Sequence, residues 1–537
     1  MAEPTPGPFA PFRHAAFAVL WIATVVSNIG TWMHDVAAGW LMTSLSPSPL
    51  MVALVQTATT LPVFLFSLPA GALADIVDRR RLLIAVQCVL AVLTGLLGLV
   101  VLAGQTTPAV LLGFTFLLGI GTALIAPAWQ AIVPSLVDRP SLRSAIALNS
   151  AGINVSRAIG PALAGVIIVA VGIHAPFFLN MVSYLGVIAA LIWWRPPPGP
   201  PRTLPPEHFL GALRAGLRYV RASAPMRATL VRSVAFFVFA SAQWAMLPLI
   251  ARELLAGGPE LYGLLLGCVG VGAVAGALVL PRVSARLGAN RLTALGTLGT
   301  AVTLVVFALV REPMVVALLC LVAGTSWIAV LSSLNVSAQT ALPDWVRARG
   351  LSVSVTVFFG SMSLGSLAWG QTASLFDVPA ALLAAAVGAV VMIPLTWRWK
   401  LGQGEMLDLS PSLHWPVPVL AAEVAHDRGP VMVTVEYRID PARAGAFAAL
   451  MNRLSDERRR DGAFAWGLFE DMAEPGRFLE YFLVESWLEH QRQHHRVTRS
   501  AADIQAAARA FHIGDDGPVV RHYAAPDQTA APDQTFV

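Results

Sequence analysis

The sequence predicts an all-α membrane protein: twelve transmembrane helices in two six-helix halves, followed by a small C-terminal ferredoxin-like α+β domain. Three observations predict it. Of 537 residues, 56% are hydrophobic and only 12% charged, with a mean hydropathy of +0.67; soluble domains carry roughly a quarter charged residues. Apolar runs long enough to cross a ~30 Å hydrocarbon layer recur along the first 400 residues. Beyond 401 the composition turns polar and the apolar residues alternate or fall at helical spacing.

The runs lie near 15–42, 49–74, 82–103, 108–133, 143–171 and 175–194, then near 228–251, 260–280, 291–310, 314–341, 351–374 and 378–399. Their connections alternate in chemistry. One side carries Arg13, Arg79 to Arg81, Arg139 and Arg143, the arginines of 195–227, then Arg282, Arg286, Arg291, Arg347, Arg349, Arg398 and Lys400. On the other side Arg252 and Arg311 are the only cations, each followed by a glutamate. The cation-rich side is cytoplasmic by the positive-inside rule, so both termini are expected in the cytoplasm of a multi-pass inner-membrane protein. The net charge of +5 sits in these loops, where orientation explains it and no nucleic-acid partner is needed. Cys88, Cys268 and Cys320 all fall in apolar runs, which implies neither a disulfide framework nor a thiol metal site. Met1 to His14 is proline-rich and lacks a cleavable signal pattern.

The halves are assigned to 1–195 and 228–400. Between them, 196–227 begins with a stiff proline-rich stretch. It continues as an amphipathic helix over Glu207–Ala222, with Phe209, Leu210, Leu213, Leu217 and Val220 on one face and Arg214, Arg218 and Arg221 opposite. Such a helix is expected to lie along the inner membrane surface. Gln130-Ala-Ile-Val-Pro134 recurs as Gln339-Thr-Ala-Leu-Pro343, and Gly71 has a weaker partner in Gly276. A parallel repeat of that kind is the mark of two six-helix halves.

Residues 401–430 read as a linker, 431–523 as a soluble domain and 524–537 as a tail. Val431, Val433, Val435 and Tyr437 alternate as a half-buried strand, and Asp440-Pro441 opens a helix faced by Phe447, Leu450, Met451 and Leu454. Strands at 463–470 and 478–485, a helix over 487–510 and a strand at 518–523 complete a βαββαβ order, which reads as ferredoxin-like. The charge run Asp456 to Asp461 is expected to be a solvated helix end. His490 and His494 share a helical face at a metal-compatible spacing, but histidines on an exposed helix are ordinarily solvated, and no metal or cofactor is assigned.

The stretch Gly71-Ala-Leu-Ala-Asp-Ile-Val-Asp-Arg-Arg-Arg81 joins the second and third runs through a short charged hinge that cannot lie in hydrocarbon. It resembles the major facilitator superfamily signature Gly-x-Leu-x-Asp-x-x-Gly-Arg-Lys/Arg. Gly71, Leu73, Asp75, Arg79 and Arg80 match, while Asp78 stands where the family has a second glycine and implies a tighter or more strained turn. The resemblance implies the superfamily's fold and a conformational latch made by Gly71, Asp75, Arg79 and Arg80. Gly160-Pro161-Ala-Leu-Ala-Gly165 partly matches the superfamily's antiporter motif, with Ala164 departing from it; Gly160, Pro161 and Gly165 are assigned to close helix packing. The superfamily's fourth-helix arginine is absent, with Thr115 about where it belongs.

Polar residues on spanning helices are the candidate cavity lining. Asn28, Thr31, Trp32 and Asp35 fall on one stripe of the first helix. Asp35, the only acid inside that helix, is the candidate for proton coupling; its alternative is a hydrated residue near the outer interface. Asn154 and Arg157 share a face of the fifth helix, where Arg157 could hold an anionic group, pair with Asp35 or snorkel to the cytoplasmic interface. Gln56, Trp129, Gln243, Trp244, Asn335 and Gln339 complete the candidates, each with an interhelical hydrogen-bonding role as its alternative.

Trp32-Met33, Gly160-Pro161 and Ser486-Trp-Leu-Glu-His490, taken with the hinge, resemble one branch of this superfamily, the transmembrane secretion effectors that include enterobactin-exporter-like proteins. This implies a bacterial inner-membrane exporter of small amphipathic molecules, such as siderophores or drugs; the expected mechanism is alternating access driven by proton antiport. The soluble domain resembles the antibiotic-biosynthesis monooxygenase-like α+β barrels in topology, which implies dimerisation through it. Import of an organic solute, and an oxygenase-like activity of the fused domain, are the competing readings. The expected partners are the small-molecule substrate, protons and membrane lipid.

Overall fold

The computed structural model describes residues 7–138, 140–195, 209–343, 345–402, 407–412, 414–415, 428–514 and 516–526. The chain divides into two compact units. One comprises Met1–Pro206, Thr229–Asn335 and Ser354–Leu401; the other comprises Glu207–Ala228, Val336–Val353 and Gly402–Val537.

The helices of the first half are α1 (Ala15–Leu45), α2 (Pro49–Ile76), α3 (Arg79–Leu102), α4 (Pro108–Ile132), α5 (Leu142–Val171) and α6 (Ala175–Trp193). After α7 (Phe209–Ala222) the second half runs α8 (Ala224–Leu249), α9 (Pro259–Leu309), α10 (Pro313–Thr340), α11 (Arg347–Leu375) and α12 (Val378–Leu395). Among the described residues eleven helices are long and apolar enough to cross a membrane. The 51-residue α9 supplies two spans, because Gly288 breaks it at φ 72°, ψ 162°. The two runs expected at 260–280 and 291–310 are therefore the two sides of this break, and the twelve spans are accounted for.

Every even-numbered span opens on proline in its first turn: Pro49, Pro108, Pro176, Pro259, Pro313 and Pro379. Those positions have no intrahelical donor to lose, so proline terminates the preceding connection without breaking the helix. All six lie at one end of the bundle, called here the α1–α2 end.

The halves pack through small residues where α5 meets the first span of α9. A Cβ on Gly263 would stand 2.5 Å from the Pro161 carbonyl oxygen, one on Gly165 2.9 Å from that of Pro259, and one on Gly270 2.5 Å from the Ala158 Cα. Backbones this close gain dispersion contacts that replace the missing hydrophobic force between helices in lipid. Gly160 faces the other way, against the Trp32 Cβ and Ile29 carbonyl of α1.

In the second unit, β1 (Val431–Arg438), α13 (Ala444–Asp461), β2 (Ala465–Glu470), β3 (Arg477–Val484), α14 (Trp487–Arg496), α15 (Arg499–Arg509) and β4 (Val519–Ala524) form an antiparallel sheet of order β2-β3-β1-β4 with its helices. This is the ferredoxin-like arrangement. The single helix expected over 487–510 is two, because Thr498 takes an extended conformation and its hydroxyl caps α15 by accepting from the Ala501 amide at 3.3 Å. Of the 401–430 linker, 407–412 and 414–415 pack on the domain: the Ser412 amide donates to the Val497 carbonyl at 2.9 Å, and Trp415 Nε1 donates to Gln505 Oε1 at 2.8 Å. The tail residues 527–537 lie outside the described residues.

Two readings of this unit need correction. The run Asp456–Asp461 is not a solvated helix end, since Arg458, Arg460 and Asp461 are all buried. Glu480 explains it: this fully buried β3 carboxylate accepts from Arg458 Nε at 2.9 Å, Trp466 Nε1 at 3.0 Å and the Tyr437 hydroxyl at 3.3 Å. A charge enters an interior when a partner with matched hydrogen bonds is already there. Helix α7 also does more than present an apolar face to lipid. Its Tyr219 is 1% exposed and donates to the Ala341 carbonyl at 3.1 Å, and Arg218, assigned to the water-facing side, reaches Glu485 and Glu489 at 3.7 and 3.5 Å.

Candidate functional site

A cavity of about 190 Å³ lies between the halves of the transmembrane unit. Helix α1 contributes Trp32 and Asp35, α2 Gln56, Thr59 and Thr60, α8 Trp244, α9 Tyr262, and α11 Phe359. Trp32 and Trp244 face each other with ring centroids 6.5 Å apart, giving the chamber an indole on either side. No hydrogen bond or ion pair joins the Asp35 carboxyl to another described residue. An acid set among aromatic rings at the junction of two halves is costly to keep ionised.

Toward the α1–α2 end this chamber is sealed. Tyr262 stacks on Trp40 at 6.2 Å between centroids. Arg252 donates from Nη1 to Thr43 Oγ1 at 2.9 Å and Ser44 Oγ at 2.7 Å, and its guanidinium lies 5.8 Å from the Trp40 ring. On the opposite flank the Leu50 amide donates to Ser374 Oγ at 3.0 Å. Buried Val36, Leu41, Met42, Val52, Leu249, Ile250 and Leu265 fill the space between these contacts. Further along, Ser67 and Thr356 hydroxyls meet at 2.9 Å.

Of the ten candidate cavity residues, Trp32, Gln56 and Trp244 line this chamber, with Asp35 beside them. The other seven stand elsewhere. Arg157 places its guanidinium 5.5 Å from the Trp32 ring, with Nε buried and without a hydrogen-bond partner, so the Asp35–Arg157 ion pair is not formed. Asn154 donates to its own helix at the Ser150 carbonyl, 2.9 Å. Trp129 Nε1 donates to Asn149 Oδ1 at 3.4 Å. Gln243 is buried, Asn28 half-buried, and Asn335 and Gln339 are exposed along α10. The stripe on α1 is also divided. Thr31 Oγ1 donates to the Ser27 carbonyl at 3.1 Å and faces the Tyr184 hydroxyl of α6 at 3.4 Å, while Trp32 and Asp35 face the chamber.

At the hinge, Arg80 donates from Nε to the Leu191 carbonyl at 2.7 Å and from Nη2 to that of Ile192 at 2.8 Å, satisfying the C-terminal carbonyls of α6. Arg79 Nη1 reaches the Ala131 carbonyl of α4 at 3.5 Å. Asp78 removes the need for the family glycine: at φ −57° it is unstrained, and its carboxylate caps α3 by accepting from the Arg81 amide at 2.8 Å. The tighter, strained turn expected from Asp78 is therefore not found. A Cβ on Gly71 would meet nothing within 4 Å, so no helix crowds it here. The Asp75 side chain lies outside the described residues.

In the soluble domain His490 is 1% exposed, which corrects its reading as a solvated helix residue. Burial, with His522 and His494 nearby, lowers its pKa to about 3. Burial likewise raises Asp461 to about 6 against the pull of Arg460, Arg458, Arg496 and Arg218. Burial of Glu489 works against ionisation but is outweighed by Arg496 and Arg218, so this carboxyl titrates below its usual range. Among the described residues no group of three or more His, Cys, Asp or Glu is arranged to hold a metal ion.

Two helical halves enclosing one chamber, with an unpaired carboxyl inside it and one end shut, define a polytopic membrane transporter. The chain matches the family described as transmembrane secretion effector over residues 6–530, and it belongs to that family. It is 26% identical over 365 residues to the Staphyloferrin A transporter of Staphylococcus aureus, covering 65% of this chain and 87% of that protein. It is 27% identical over 350 residues to the Enterobactin exporter EntS of Shigella boydii serotype 18, covering 63% and 80%. Among solved structures, a POT family transporter in complex with 5-aminolevulinic acid superposes with a TM-score of 0.60 at 12% identity, over 74% of this chain and 98% of that one.

Proposed function

We propose that the protein exports small amphipathic, siderophore-like molecules by alternating access, driven by proton antiport at Asp35. The observation that carries this reading is the chamber itself. Its two indoles suit an amphipathic aromatic or acyl cargo, and among the described residues Asp35 is the one acid that lines it. The α1–α2 end, poor in cations, is the outward face in this reading, so the seal around Arg252 and Tyr262 belongs to the outward-closed, cargo-loading state. The names of two relatives, a staphyloferrin transporter and an enterobactin exporter, support siderophores as the cargo class.

The hinge at Gly71, Asp75, Arg79 and Arg80 then serves as the latch on the cytoplasmic side. The soluble domain is taken as a regulatory module. It forms one compact unit with α7 and 336–353, the connection between α10 and α11. Within that unit Arg496 lies 4.3 Å from the Trp345 ring, Arg460 lies 5.5 Å from that of Tyr219, and Tyr219 and Trp345 meet edge-on at 5.8 Å. A domain clasping the connection between two spanning helices can bias their motion.

The test is siderophore uptake into inside-out vesicles with an imposed proton gradient. Wild type accumulates cargo and dissipates the gradient. Asp35→Asn retains downhill exchange and loses gradient-driven accumulation. Accumulation by Asp35→Asn at the wild-type rate would remove the coupling assignment, and absence of uptake by wild type would remove the cargo class.

A further inference from the structure

Helix α14 carries two chemistries on different sides. Glu489 and Arg496 belong to the contacts with α7 and Trp345, whereas His490 and His494 turn into the domain. Their Nε2 atoms are 3.4 Å apart, and their rings meet edge-on with centroids 5.0 Å apart. The indole of Trp415 stands 5.1 Å from the His494 ring, and that of Trp487 stands 5.4 Å from the His490 ring.

We propose that His490 Nε2 and His494 Nε2 together bind one divalent transition-metal ion of the imidazole-preferring class: zinc, nickel or copper(II). Two imidazole nitrogens each about 2.0–2.1 Å from a shared tetrahedral ion stand roughly 3.4 Å apart, which is the separation found here. A neighbouring side chain orients the His490 ring. His490 Nδ1 is 3.3 Å from Gln493 Oε1, so a proton on Nδ1 donates to that oxygen and turns the Nε2 lone pair toward His494 and a shared ion. His494 is partly exposed, which leaves the ion a route in and leaves water to complete its coordination. His522 is a wall of the site: its ring packs against His490 at 4.8 Å, tilted by 53°. The donor set is nitrogen without carboxylate or thiolate, which disfavours calcium and magnesium and suits the later first-row ions.

The test uses the full-length chain without an affinity tag, purified in detergent. Equilibrium dialysis against nickel or zinc, followed by metal analysis, should give one ion per chain. Nickel or copper should quench tryptophan emission, and Trp415→Phe should lower the quench while leaving the stoichiometry unchanged. His494→Ala, a partly exposed position whose truncation spares the core, should weaken binding at least about tenfold, and Gln493→Ala, through loss of the orienting bond, by about tenfold. Arg214→Glu, on the exposed face of α7, should bind metal as wild type does, so this site and the regulatory reading stand or fall separately. Failure of wild type to retain stoichiometric metal would show that the histidines simply hydrogen-bond to each other. Equal affinity in His494→Ala would place the ion elsewhere. Either result overturns the proposal.

Discussion

Arg252 is the one cation on the connection between α8 and α9, and it ties the second half to the α1–α2 end of the first. Replacing it with alanine removes two charge-assisted hydrogen bonds, to Thr43 and Ser44, and the contact over Trp40. Such bonds contribute about 1.5–3 kcal/mol each when desolvated. The arginine is exposed and so is its bond to Ser44, so the net stabilisation of the closed end is about 1–2 kcal/mol. That corresponds to a factor of about 5–30 in the equilibrium between closed and open arrangements. The assay is pulsed electron spin resonance on spin labels at Gln105→Cys and Glu312→Cys, exposed connections of opposite halves, with the three native cysteines replaced. Arg252→Ala should increase the long-distance population by that factor. Arg252→Lys, which keeps the charge without the fork of donors, should fall between the two. An unchanged distance distribution in Arg252→Ala would refute the seal as a two-state contact.

Asp75→Asn should slow efflux more than it reduces the amount of folded protein; unchanged efflux in vesicles would remove the latch assignment. Arg458→Met leaves Glu480 buried without its cation and should destabilise the soluble domain by about 3–5 kcal/mol, read as a lowered unfolding midpoint in urea, whereas replacing Arg458 and Glu480 together with apolar residues should recover much of that loss. Asp461 titrates near 6 in the folded chain against an ordinary value of 3.8, so its contribution to stability is present below 3.8 and is lost as pH rises through 6. Asp461→Asn should therefore stabilise the soluble domain by up to about 3 kcal/mol at pH 8 and by almost nothing at pH 4; a gain that is the same at both pH values would contradict the burial argument.

The spanning helices were legible because lipid leaves the backbone no other choice: a run of sufficient apolar length must satisfy its hydrogen bonds internally. The break between 280 and 291 was legible too, though not the residue that makes it, since glycine is common throughout these spans and only the fold shows that Gly288 takes a positive φ. In the soluble domain the alternation of Val431 to Tyr437 identified its strand, but Thr498 was read as part of a helix although a threonine also makes a good cap. Within the chamber, Trp32, Asp35, Gln56 and Trp244 were found because polarity or size stands out in an apolar run. Tyr262 and Phe359 were passed over, as aromatic residues in such runs carry no mark of which way they face. Helical spacing alone placed Thr31 with Trp32, although a rotation of one residue turns it to α6. Arg458 was misread for a different reason: the partner that permits its burial, Glu480, is on a strand about twenty residues away, and nothing local announces it; Asp461 is then buried among Arg458, Arg460, Arg496 and Arg218.

The account depends on one chamber that opens to each side of the membrane in turn. A cysteine at Gln56, in a chain lacking its native cysteines, places a thiol on the wall of that chamber. A membrane-impermeant thiol reagent should reach it from the cytoplasmic side in resting vesicles, and from the opposite side once Arg252→Ala loosens the seal. Labelling from the cytoplasmic side alone in both backgrounds, or from neither side, would contradict alternating access through this cavity.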